Sequence, residues 1–72
     1  MNLKQLRERA GLPTQESAAQ RTGIHQTTIS GLENGEHPSP RLDTLQKLSA
    51  GYGVTLDDVV AAVRETVAEA AA

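Results

Sequence analysis

Residues 14–35 read Thr14-Gln15-Glu16-Ser17-Ala18-Ala19-Gln20-Arg21-Thr22-Gly23-Ile24-His25-Gln26-Thr27-Thr28-Ile29-Ser30-Gly31-Leu32-Glu33-Asn34-Gly35. Two short helices are written here. Thr14 follows Pro13 and can cap the free N–H groups of a helix, and Glu16 favours that helix's positive end. Gly23 stops it, because as a C′ residue glycine takes the left-handed conformation without steric cost. A second segment runs from about Gln26 to Asn34, with Ile29 and Leu32 on its inner face and Asn34-Gly35 ending it by the same chemistry. Ala19 is small where one helix must approach the next, and Ala18, Ile24, Ile29 and Leu32 supply an apolar seam. Gln26, Thr27, Ser30 and Gly31 are left as an outward face that is polar, uncharged and rich in donors and acceptors.

Working outward, Asn2 can cap a first helix that carries Leu3 and Leu6 and ends at Gly11. Downstream, Glu36-His37-Pro38-Ser39-Pro40 is a loop, in which Ser39 is expected to cap a fourth helix with Pro40 at its first position. Leu42, Leu45 and Leu48 give that helix an i, i+3 stripe, halted around Gly51 to Gly53. Thr55-Leu56-Asp57-Asp58 resembles a capping box and opens a fifth helix with Leu56, Val59, Val60, Val63 and Val67 at helical spacing. No strand pair, tandem repeat or linker is visible. The expected fold is all-α, a single five-helix domain over residues 1–72.

The 72 residues include ten alanines, one aromatic (Tyr52) and no cysteine, so the core is thin and aliphatic with no disulfide or thiolate metal site to support it. A core of this size is worth only about 3–5 kcal/mol. No apolar run approaches a membrane span and no signal peptide is visible, so a reducing, cytoplasmic setting is expected. The net charge of −2 divides unevenly. Residues 1–56 hold six basic residues (Lys4, Arg7, Arg9, Arg21, Arg41, Lys47) against five acidic ones (Glu8, Glu16, Glu33, Glu36, Asp43). Residues 57–72 hold Arg64 against Asp57, Asp58, Glu65 and Glu69. The acidity belongs to the tail, and the mildly basic body permits DNA binding without requiring it.

The two helices of residues 14–35 fit a helix-turn-helix, whose second helix enters the major groove N-terminus first. Beyond that motif the chain resembles the Xre or Cro/C1-type helix-turn-helix regulators, with their lambda-repressor-like fold. Leu6-Arg7 with Gly11, Thr14 through Ala19, Gly23 through Ser30 and Leu32 through Gly35 carry the likeness, completed by Leu45 through Leu48 and Gly53 through Asp57. It covers about residues 3–60. The resemblance implies dimeric binding to a roughly palindromic operator, no cofactor, and transcriptional control, expected as repression. It assigns Gln15 to a phosphate clamp, Gln26 and Thr27 to base reading, and Arg41 to a backbone contact. Gln can bond bidentately to adenine, and Thr can meet a base edge or a thymine methyl. Arg7 and Glu33 match a structural salt bridge tying the first helix to the end of the third. Arg21, His25, Ser30 and Gly31 complete the expected DNA-contacting set.

Four positions depart from the family pattern. Ala18 stands where Leu is usual. His25 replaces a Ser or Thr cap and becomes either a degenerate cap or a phosphate neighbour. Gly31 removes a contacting side chain, and Glu36 replaces a common basic residue. A weaker or more selective binder, dependent on dimerisation, is expected.

Ser17, Ser30, Ser39 and Ser49 lack a nucleophile elbow, and neither His25 nor His37 has an acid–base or metal partner placed by the sequence, which argues against an enzyme and against a metal site. Val63 and Val67 either fold back on the monomer core or form a homodimer seam; the seam is preferred because it adds burial that a thin core lacks. Two other functions compete. As a toxin–antitoxin component the chain would use its acidic tail to hold a toxin, and as a protein-interaction module it would keep the helix-turn-helix only as scaffold.

Overall fold

A computed structural model describing residues 1–72 contains five helices and no strand: α1 (Leu3–Arg9), α2 (Gln15–Thr22), α3 (Gln26–Glu33), α4 (Leu42–Tyr52) and α5 (Leu56–Ala71). The local signals explain most boundaries. Asn2, Thr14 and Thr55 each accept a bond from the amide three residues on, and the side chains of Gln5, Ser17 and Asp58 accept one in return from the capping residue's own amide. At the far ends Gly11, Gly23, Gly35 and Gly53 all take positive φ. Behind α3 the Glu36 amide donates to the Gly31 carbonyl and the Gly35 amide to the Leu32 carbonyl, which is a Schellman turn with Gly35 at its left-handed position.

Helix α4 departs from expectation. Its N-cap is Arg41, without a side-chain cap bond, so Ser39 does not cap it and Pro40 lies outside it. Ser39 is steered out of the helical region by the proline after it, and Arg41 is itself still extended (φ −66, ψ 152). The leucine stripe is also shorter than its spacing suggests: Leu48 is buried and Leu45 packs against the core, whereas Leu42 is 60% exposed. Gly51 does not stop the helix. A Cβ there would stand 2.5 Å from Thr22 Cγ2 and 3.2 Å from Thr22 Cα, so the bare backbone is what lets α4 lie close against α2.

The core joins Leu3, Leu6 and Leu12 to the seam residues Ala18, Ile24, Ile29 and Leu32, and to Leu48, Tyr52, Val59, Ala62 and Val63. The dimer seam expected at Val63 and Val67 is therefore corrected at Val63. Val63 is 5% exposed within one chain and turns inward, while Val67 packs against the same cluster and stays partly exposed. Burying an aliphatic side chain is worth about 1.5–3 kcal/mol, and the monomer already takes that up at Val63.

Polar groups on the second half of α5 hold it to the rest of the chain. Thr66 is buried, accepts the Leu3 amide at 2.9 Å and donates to the Ala62 carbonyl at 2.8 Å. Glu65 pairs with the N-terminal ammonium, and Asn2 Nδ2 donates to Glu69 Oε1 at 2.8 Å. At the turn ending α3, a Cβ on Gly35 would meet Ala70 Cβ at 2.6 Å. The tail thus braces both α1 and the end of α3. No helix is long and apolar enough to cross a membrane.

Candidate nucleic-acid interface

The first turn of α3 places Gln26 and Thr27 side by side in solvent. Its cap is His25, whose Nδ1 accepts the Thr27 amide at 3.3 Å. The imidazole thereby does the work of the missing Ser or Thr. With Nδ1 as acceptor the ring proton sits on Nε2, where it can meet a phosphate oxygen. Ser30, one turn on, is half-buried. Gly31 is corrected: it is buried, and the position its Cβ would take is covered by His37 Nε2 at 2.8 Å and Glu36 Oε1 at 3.5 Å. The loop after α3 has folded back over the gap that a missing side chain left.

Gln15 is the first residue of α2 and half-buried. Its Nε2 donates to Glu33 Oε1 at 3.2 Å, a link between α2 and α3 that residue spacing did not reveal. That bond fixes the amide's orientation and leaves Oε1 and the second N–H for another partner. Arg41 is exposed at the start of α4, and its contact with Asp43 is 3.7 Å long between two exposed side chains. Such a pair contributes little, so the guanidinium is free for a phosphate. Arg21, in the last turn of α2, is likewise exposed.

Behind this surface lies an ion pair. Arg7 Nε donates to Glu33 Oε2 at 2.7 Å and its Nη2 to Oε1 at 3.3 Å, while Nη1 donates to the Leu12 carbonyl at 2.9 Å. The two side chains are only 4% and 6% exposed. The hydrogen bond to Glu33 holds the guanidinium protonated above its ordinary range, against burial, which works the other way. Glu33 therefore receives Arg7 from α1 and Gln15 from α2, and so connects the first three helices at the back of the recognition face.

Tyr52 reports on the same region. Burial pushes its phenol up to about 12, the Glu33 carboxylate adds to this, and Arg7 opposes it. Because the folded value lies above the ordinary value near 10, the stabilisation is fully present below that pH and is lost as pH rises towards 12. Alkaline titration followed by circular dichroism should show unfolding beginning in this window. Tyr52→Phe should move the transition upwards; an unchanged midpoint would assign it to another group.

The comparisons agree with this architecture. A family model described as helix-turn-helix matches residues 3–59. Comparison with curated proteins and with solved structures finds no match. The match ends early in α5, so the bracing by Thr66, Glu69 and Ala70 lies outside it. With the capped pair α2–α3, the Arg7–Glu33 bridge and a match over most of its length, the chain belongs to the Xre or Cro/C1-type helix-turn-helix family of DNA-binding regulators.

Proposed function

We propose that the chain is a sequence-specific transcriptional repressor that reads one operator half-site with α3, two copies binding together. The observation that carries this reading is the exposed Gln26–Thr27 pair on a capped helix N-terminus, held from behind by the Arg7–Glu33–Gln15 connection. Gln26 is suited to adenine and Thr27 to a base edge or a thymine methyl. His25, Gln15, Arg21 and Arg41 supply phosphate contacts that set the register, and Ser30 extends the polar face.

Size favours two copies. Each chain of 29 Å longest extent carries a single α3, whereas a palindromic operator presents two half-sites about 34–36 Å apart, so each copy reads one of them. With Val63 turned inward, the exposed apolar side chains Met1, Leu42 and Leu56 and the partly exposed Val67 remain for contact between copies. Glu65 and Glu69 are engaged with the chain's own N-terminus, which leaves less of the acidic tail for a toxin.

Fluorescence anisotropy tests the reading, using a duplex from upstream of the gene and a scrambled duplex of equal length, at several salt concentrations. The upstream duplex should bind more tightly. Gln26→Ala and Thr27→Ala should each relax that preference by about 1–3 kcal/mol while the circular dichroism spectrum is unchanged. Equal, weak binding to both duplexes would leave only the phosphate contribution and retire the proposal.

A further inference from the structure

On the outward face of α3, Thr27 and Gly31 are one turn apart and Ser30 lies beside them. The atoms nearest to a Cβ on Gly31 would be those of His37 and Glu36, both exposed loop residues, so this position faces the loop after α3. The Schellman turn at Asn34–Gly35 brings the chain back along α3 and sets the His37 ring over the glycine. His37 is exposed, and its imidazole nitrogens enter none of the chain's hydrogen bonds or ion pairs, whereas His25 spends Nδ1 on its cap.

We propose that His37 is a base-reading side chain, supplied by the loop to the place on the recognition face that Gly31 leaves empty. This rests on the DNA-reading function proposed above. The neighbouring Glu36 carboxylate makes the spot a poor seat for a phosphate, which favours a base edge as the partner. A neutral or protonated imidazole donates to the acceptors that guanine, or adenine N7, presents in the major groove. The ring takes up this position only because residue 31 has no side chain: a Cβ would stand 2.8 Å from Nε2 and displace it.

The experiment is a double-mutant cycle of His37→Ala and Gly31→Ala, read by anisotropy on the upstream duplex, a scrambled duplex, and single-base-pair variants of the first. Circular dichroism checks that each variant is folded. His37→Ala should lower the preference for the upstream duplex by about 5- to 150-fold, with the loss confined to one or two base pairs. Gly31→Ala should produce the same loss at the same base pairs, and the double variant should be no worse than either single one. Uniform weakening on both duplexes with a shallower salt dependence would make His37 a phosphate contact and overturn the proposal. Unchanged preference in His37→Ala would overturn it as well. If the unmodified chain failed to distinguish the duplexes, the DNA-reading function itself would fall, and this inference with it.

Discussion

Replacing Arg7 with Ala is expected to remove about 3–5 kcal/mol, because it leaves the Glu33 carboxylate charged, buried and short of its main partner. A single aliphatic core of this size supplies a stability of similar magnitude, so the variant should be largely unfolded at room temperature. Urea and thermal denaturation followed by circular dichroism would show the loss directly. The companion double variant, Arg7→Met with Glu33→Leu, separates the two roles of the pair. Apolar replacement of a buried bridge is often close to neutral, so this protein should recover most of the stability. It should still bind DNA less selectively, since Gln15 loses the carboxylate that orients it. A loss below about 1 kcal/mol for Arg7→Ala would place the bridge with surface pairs and remove it as the frame of the recognition face.

Truncation after Arg64 should be nearly as damaging, although it removes only residues beyond the region that the family model matches. It leaves the Leu3 amide without the Thr66 hydroxyl, removes Glu69 from Asn2 Nδ2 and Glu65 from the N-terminus, and strips Val67 and Ala70 from the core edge and the Gly35 turn. An orphaned buried amide alone costs about 1–3 kcal/mol, and the lost apolar cover adds to it. The truncated chain should show a lower midpoint in urea and weaker DNA binding that falls equally on all sequences. Thr66→Val isolates the buried hydroxyl: it keeps shape and helix but should lose about 1–3 kcal/mol. A truncated chain as stable as the full one would reduce the tail to an ornament of α5.

These two predictions differ in how far the sequence alone leads to them. Arg7 and Glu33 are legible because the resemblance pairs them. Thr66 is not, since a threonine between valines on an amphipathic stripe carries no sign of which backbone amide it will meet. The preference for a dimer seam failed at Val63 for a related reason. Helical spacing says that a stripe is buried, but not whether its cover is the same chain or another. Leu42 is the converse case, an apolar residue in register with Leu45 and Leu48 that ends in water because it is the first residue of α4.

Local chemistry determined what depends on a few neighbouring residues. Caps at Asn2, Thr14 and Thr55, left-handed glycines at 11, 23, 35 and 53, and the apolar period between them specify five helices and the turn of the helix-turn-helix. Such signals act within one turn of backbone, and so survive translation from sequence to structure almost unchanged. Three things were decided only when the helices packed: the tie of Gln15 to Glu33, the inward turn of Val63, and the His37 ring lying over Gly31. Each joins elements that no periodicity connects. Their partners are set by which surfaces remain to be covered once the core has closed.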